Sequence, residues 1–281
     1  MQTTDYSTGK VTSKDGSIIG YKQAGTGPGL ILVHGGMMAS QNFTKLGALL
    51  ADAFTVYIPD RRGRGMSEQD TKEYGLSKES EDIEALAQAT GAQKIFGLSS
   101  GAIIALQTAL TEPSIKKLAI YEPPLPFTDG PSAWVPAYDK AMKEGDYGEA
   151  MATVVKGTGD ESMLAMTPKF MLTAMFNMAI KKEEVAEGQV SLKTLIAAMY
   201  NDIAIVNDSK GLLDTYQNVA ADTLLLGGTR SIQFLRENID IMSAAMPHAK
   251  RIVFEGLGHV AADNNGKPEI VAAALKEFFA S

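Results

Sequence analysis

Short apolar runs recur through the first half of the chain, each followed by a stretch with helical spacing. Leu30-Ile31-Leu32-Val33 is apolar throughout, the pattern of a strand buried on both faces. Before it, Ser17 to Lys22 reads as a short strand, and Gly25-Thr26-Gly27-Pro28-Gly29 is dense enough in Gly and Pro to turn the chain. After it the pattern predicts a helix over 41–51, a strand over 54–58 stopped by Pro59 and a helix over 77–90. A strand over 94–97, a helix over 102–110 and a strand over 117–121 follow. Glu79, Glu81 and Asp82 fall near the positive end of the 77–90 helix, where acids are favoured. Strand–helix alternation of this kind predicts an α/β protein with a mostly parallel central sheet covered by helices on both faces.

From about Leu125 to Leu213 the alternation stops and only helical periodicity remains. It resumes with a strand over 223–226, a helix over 232–246, a strand over 251–254 and a last helix. Pro268 suits the first turn of that helix, and Ile270, Val271, Ala274, Leu275 and Phe278 form its apolar face. The expected organisation is a core made of residues 1–124 and 216–281, with a helical cap over residues 125–215 inserted between its halves. In open sheets of this type ligands bind at the carboxyl ends of the strands. An insertion leaving from such an end would roof the site.

Three motifs lie at those strand ends. Gly97-Leu98-Ser99-Ser100-Gly101 has the form G-x-S-x-G, with an apolar strand running into it and a helix running out. That context makes it a strand–turn–helix elbow, which lifts the Ser99 hydroxyl above the sheet edge. Its glycines are needed where side chains would strike neighbouring backbone, and the Ser100 N–H would face a developing oxyanion. His34-Gly35-Gly36-Met37 follows the 30–33 strand, where a second oxyanion donor is expected; Gly36 is the first choice and Met37 the second. His34 itself is expected to brace the loop. A serine hydroxyl needs a base, and the chain offers only His34, His248 and His259. His248 follows Pro247 at a helix end and suits a surface. His259, in Gly256-Leu257-Gly258-His259, lies just past the 251–254 strand, on the same side of the sheet as Ser99. Imidazole titrates near neutrality and can act as base and then acid.

Together these pieces resemble the α/β-hydrolase fold, in particular its capped esterase- and lyase-like members. The likeness rests on His34-Gly35-Gly36, Asp60-Arg61-Arg62-Gly63-Arg64-Gly65-Met66-Ser67, the elbow at Ser99 and Gly258-His259, in that order. It implies acyl transfer by a serine nucleophile. Dehalogenases and epoxide hydrolases of the fold carry aspartate where this chain has Ser99. The 60–67 loop is expected to be structural, its charges bonding nearby backbone, and Arg64 stands where many relatives have histidine. One position departs from the pattern. Many relatives place the triad acid three residues after a glycine that follows the strand matching 223–226, and here that position is Ser231. Glu122, after the 117–121 strand, occupies an alternative location that some dehalogenases of the fold use. It is either the acid or a surface carboxylate at the start of the cap. Asp263 is expected at the start of the last helix.

Composition narrows the chemistry. The chain has 281 residues, 45% of them hydrophobic, which allows an ample core and excludes disorder. There is no cysteine, so disulfide scaffolds and thiolate metal sites are excluded. With 33 acidic and 26 basic residues the net charge is −7, which argues against nucleic acid or an anionic membrane as partner. No cofactor and no metal is expected. No basic-then-apolar leader is seen, so the cytoplasm is the default location, and a homodimer stays open.

Residues 125–215 hold 13 acids, 8 lysines and 8 of the 14 methionines, and there is no arginine between Gly65 and Thr229. An acidic cap without arginine disfavours anionic substrates. Met171, Met175 and Met178 share one helical face, which reads as helix core or as adaptable pocket surface. The expected activity is hydrolysis of small neutral carboxylic esters or lactones with an apolar acyl group. Two readings compete: a ligand-binding or signalling protein with weak turnover, motivated by Ser231, and a carbon–carbon bond hydrolase or perhydrolase.

Overall fold

The computed structural model describes residues 4–68, 74–126, 133–158 and 166–281. Eight strands form one sheet: β1 (Ser7–Thr12), β2 (Ile18–Ala24), β3 (Gly29–Val33), β4 (Thr55–Pro59), β5 (Lys94–Leu98), β6 (Lys117–Tyr121), β7 (Asp222–Gly228) and β8 (Lys250–Phe254). Their order across the sheet is β1-β2-β4-β3-β5-β6-β7-β8. β1 and β2 run antiparallel to their neighbours, and every pairing from β4 to β8 is parallel. β1 is the strand the hydrophobic pattern does not reveal. It is a polar edge, Ser-Thr-Gly-Lys-Val-Thr, with no fully buried residue, so no alternation marks it.

Strands β3 to β7 are mostly apolar because both faces are covered, whereas the edge strand β8, Lys-Arg-Ile-Val-Phe, has no buried residue. Ile31 and Val33 pack with Ile83, Leu86 and Ile103 on one side, under α2 (Leu76–Thr90) and α3 (Ser100–Thr111). Leu30 and Leu32 pack with Leu46, Val271 and Leu275 on the other, under α1 (Thr44–Leu50) and α11 (Pro268–Ala280). The 41–51 segment predicted as one helix begins as a 3₁₀ turn, Ser40–Phe43, before α1.

Between β6 and β7 the described residues contain helices and no strand: α4 (Val135–Lys143), α5 (Tyr147–Thr158), α6 (Lys169–Lys182), α7 (Leu192–Ala197), α8 (Met199–Asp208) and α9 (Leu213–Tyr216). Tyr138, Ala150, Val154 and Ile196 form a small core of their own, against which Met37 of the β3 loop packs. After β7 comes α10 (Gln233–Ala245). Among the described residues no helix is long and apolar enough to cross a membrane. None of their His, Cys, Asp and Glu side chains form a group of three that could hold a metal ion.

The register explains why the motifs meet. Leu98 pairs with Tyr121, Tyr121 with Leu226, and Gly228 with Phe254. The residues that follow these strand ends, Ser99, Glu122, Thr229 to Ser231 and Glu255 to His259, therefore leave the sheet on one side. His34 leaves β3 beside them.

Candidate active site

Ser99 sits at the turn between β5 and α3 with φ 57° and ψ −126°, a conformation an L-residue seldom adopts. Among the described residues only Met37, Ser99 and Glu122 are non-glycine residues with positive φ; Met37 and Ser99 line one cavity, and Glu122 is bonded to His259, which lines it too. Each such residue costs on the order of 1–3 kcal/mol, so the surrounding packing must impose it. For Ser99 the packing is visible. A Cβ on Gly97 would lie 2.4 Å from the Gly101 carbonyl oxygen, and one on Gly101 would lie 2.4 Å from the oxygens of Val33 and His34. Only glycine at both places lets α3 start this close to β3 and β5. A Cβ on Gly35 would stand 3.0 Å from the Ser99 Cβ, so the β3 loop lies directly against the elbow.

His259 and Ser99 both line a cavity of about 190 Å³. The His259 Nδ1–H donates to Glu122 Oε2 at 2.8 Å. That carboxylate is fully buried and held from two further directions: the Gly228 N–H donates to Oε1 at 2.7 Å and the Ser231 hydroxyl to Oε2 at 2.8 Å. Glu122 is therefore not a surface carboxylate. Ser231, which holds no charge, donates a hydrogen bond to the carboxylate that faces the imidazole. The other acid considered, Asp263, is turned elsewhere. It accepts from Asn42 and from the Asn265 N–H, in a loop ahead of α11 rather than at its start.

Gly36 and Ser100 lie on the cavity wall, and neither N–H has a protein acceptor among the described residues. Ser100 is the first residue of α3, where the helix dipole adds positive potential. Met37 differs: its N–H donates to Asp202 Oδ2 at 3.3 Å. His34 is a bracing residue as expected. It is fully buried, its ring contacts the Gly35 carbonyl, and burial with Arg64 and Arg61 nearby holds it well below the usual histidine range, hence neutral. His248 is exposed.

The 60–67 loop does more than bond backbone. Arg61 and Arg64 are completely buried and reach across to Asp202 on α8, at 2.7 Å and 2.8 Å. Arg61 also grips Glu79 through three contacts of 3.0–3.2 Å, while Arg62 pairs with Asp82 and Asp15. Glu79 and Asp82 thus serve as partners of buried arginines rather than only as acids at the start of α2. Asp202 was not singled out by the sequence. It is one of 13 acids in its segment, and no spacing links it to residues 61 and 64. The two guanidinium groups hold its carboxyl far below the usual carboxylate range despite burial.

The methionine face must be reassigned. Met171, Met175 and Met178 are about half exposed on α6, so they form neither helix core nor pocket lining. Met199 is the methionine of the insertion that lines the cavity, beside Met37 and Met38 of the β3 loop. Met163 lies outside the described residues.

A mostly parallel sheet with a serine elbow, an imidazole bonded to a buried carboxylate and two free backbone donors defines the architecture of an α/β hydrolase. The model of the Alpha/beta hydrolase family matches residues 30–274, and the chain belongs to that family. It is similar to the pimeloyl-[acyl-carrier protein] methyl ester esterase of Xanthomonas campestris pv. campestris, 27% identical over 263 residues, covering 92% of this chain and 97% of that one. The esterase of the same name from Stenotrophomonas maltophilia is 29% identical over 258 residues, covering 92% and 95%. Among solved structures, an alpha/beta hydrolase from Sphaerobacter thermophilus superposes with a TM-score of 0.78 at 28% identity, over 96% of this chain and all of that one.

Proposed function

We propose that the protein is a cofactor-free serine hydrolase acting on small neutral carboxylic esters or lactones. The observation that carries this reading is the His259–Glu122 hydrogen bond beside the cavity that also holds Ser99. In the proposed reaction Ser99 Oγ attacks the carbonyl carbon while His259 Nε2 takes the hydroxyl proton. The Glu122 carboxylate keeps the imidazole in the tautomer with Nδ1 protonated and stabilises the imidazolium. The carbonyl oxygen becomes an oxyanion held by the N–H groups of Gly36 and Ser100, each worth roughly 3 kcal/mol to the transition state. Collapse of this intermediate breaks the ester C–O bond. The leaving oxygen takes the proton from His259, and an acyl group stays on Ser99. Water, deprotonated by the same imidazole, then attacks the acyl carbon and frees the acid.

The walls support this substrate class. Met37, Leu98, Trp134, Met199, Ile203 and Leu235 make most of the lining apolar, and among the described lining residues there is no lysine or arginine. Arg61 and Arg64 stand behind Asp202, already paired. A carboxylate on the substrate would find no free cation, whereas an apolar acyl group would be desolvated favourably. The esterase names of the relatives support ester cleavage over carbon–carbon cleavage or simple ligand binding. In this reading the segment 125–215 acts as a cap, roofing the cavity with α4, α5 and α8.

Rapid mixing with p-nitrophenyl acetate should give a burst of p-nitrophenol equal to the enzyme concentration. A fluorophosphonate should label Ser99 and nothing in Ser99→Ala. Negatively charged glutaryl half-esters should be poorer substrates at low salt. A preference for them would overturn the neutral-substrate reading, and absence of labelling at Ser99 would overturn the mechanism.

A further inference from the structure

Asp202 is a buried carboxylate delivered by the insertion to the edge of the cavity, and its bonds reach the residue after Gly36 and the side chain of Ser100. Its Oδ1 accepts from the Ser100 hydroxyl at 2.7 Å and from Arg61 Nη1 at 2.7 Å. Its Oδ2 accepts from the Met37 N–H at 3.3 Å and from Arg64 Nη2 at 2.8 Å. Arg64 in turn donates through Nη1 to the carbonyls of Met38 and Gly35, at 2.9 Å and 3.4 Å. Gly36 is thus bracketed: residues 35, 37 and 38 are all tied to the Arg64–Asp202 pair. Gly36 lies close to the carboxylate: a Cβ there would stand 3.2 Å from the Asp202 Cγ. A side chain at the second glycine of His34-Gly35-Gly36 would therefore press on a residue that lies 166 positions further along the chain.

This arrangement calls for a reason beyond stability. A buried ion pair is often no more stabilising than a well-packed apolar replacement. A carboxylate beside an oxyanion site would also oppose the reaction, were it not neutralised. Here Arg61, Arg64, Glu79 and Asp202 carry two charges of each sign, so the cluster is neutral while its bonds remain directional.

We propose that Asp202 is a positioning residue of the oxyanion hole: docking of α8 onto Arg61, Arg64 and Ser100 sets the Gly36 and Ser100 N–H groups at the spacing the oxyanion needs. This rests on the reading of those two groups as the oxyanion donors. It makes the insertion part of the catalytic apparatus as well as a roof. Asp202 takes no proton in this reading; it acts through the backbone on either side of Gly36 and through the Ser100 side chain.

The test uses the full-length enzyme, p-nitrophenyl acetate and active-site titration with a fluorophosphonate, so that kcat is counted per competent serine. Asp202→Ala should lower kcat about 100-fold and Ser100→Ala, which keeps its N–H, about 10-fold, with KM shifted far less, because the oxyanion exists only in the transition state. The double variant should be no slower than Asp202→Ala alone, since both changes cut the same link. The inhibition constant of a trifluoromethyl ketone, whose adduct places an oxyanion in the hole, should rise in parallel with the fall in kcat. Should Asp202→Ala fail to fold, Ser100→Ala carries the test, because it leaves all four charges paired. A purely structural role would lower the melting temperature and leave kcat per titrated site within about twofold of wild type for either variant, and that result overturns the proposal. Wild-type enzyme that neither turns over nor is labelled at Ser99 overturns this inference together with the hydrolase reading.

Discussion

Replacing Glu122 by glutamine should abolish most turnover while leaving the fold in place. The carboxylate makes three hydrogen bonds, to the Gly228 N–H, the Ser231 hydroxyl and His259 Nδ1. An amide of the same shape has one acceptor and one donor end. If its oxygen stays on the Gly228 N–H at 2.7 Å, its NH₂ faces the Ser231 hydroxyl, which can rotate to accept, and His259 Nδ1. Nδ1 can then only accept, so the ring must carry its proton on Nε2 and cannot take one from Ser99. The reversed amide would set an NH₂ against the Gly228 N–H, two donors in a fully buried place, and is disfavoured by about 1–3 kcal/mol. Loss of the correct tautomer in a serine–histidine–acid system costs about 10⁴ in kcat, equivalent to ~5 kcal/mol of transition-state stabilisation. KM should hardly move, because Glu122 does not line the cavity. Steady-state hydrolysis of p-nitrophenyl acetate gives both constants, and thermal melting monitors the fold. Glu122→Gln at more than about a tenth of wild-type kcat would refute the assignment. A second variant sharpens it. Ser231 donates to the same carboxylate oxygen as His259, so Ser231→Asp added to Glu122→Gln should return part of the lost rate by supplying an acid from the loop after β7.

Three further outcomes follow from the buried charges and the exposed methionines. Because the Asp202 carboxyl is held below its unfolded value, it stabilises the protein above about pH 4, and that contribution is lost as the pH falls through the folded-state value. The melting temperature of Asp202→Asn should therefore fall less than that of wild type between about pH 5 and 2, and equal slopes would contradict this. Arg61→Met should cost about 3–5 kcal/mol in urea unfolding, because it leaves Glu79 and Asp202 buried without their shared cation. A loss under about 1 kcal/mol would show that the network relaxes. Glutamine at Met171, Met175 and Met178 together should leave kcat/KM for small esters unchanged and stability within about 0.5 kcal/mol per site, since these side chains face solvent. Reduced kcat/KM would place that face back in the substrate path.

What the sequence determined by itself was everything local. Runs such as Leu30 to Val33 can be apolar at every position only if both faces are buried, so the parallel core was legible from short windows. So was the elbow, because glycines on either side of Ser99, between a strand and a helix, are needed wherever backbone must pass that close. With three histidines in the chain, His248 at a helix end and His34 at the head of a glycine loop, His259 could be found by elimination. The polar edge strand β1 left no such trace, because an edge exposed on both sides needs no alternation. Long-range charge pairing was equally hidden. Glu122 offered two readings until the 2.7–2.8 Å contacts with Gly228, Ser231 and His259 placed it in the interior. Met171, Met175 and Met178 show the opposite failure, because helical spacing shows that residues share a face but not what that face meets. Asp202 is the clearest case. A carboxylate acquires its role from the cations that enclose it, and Arg61 and Arg64 lie some 140 residues away along the chain, brought within 2.8 Å only when α8 packs over the strand ends. Hydrophobic periodicity is a property of neighbours in sequence, and charge compensation is a property of neighbours in space, so only the tertiary structure could decide the second.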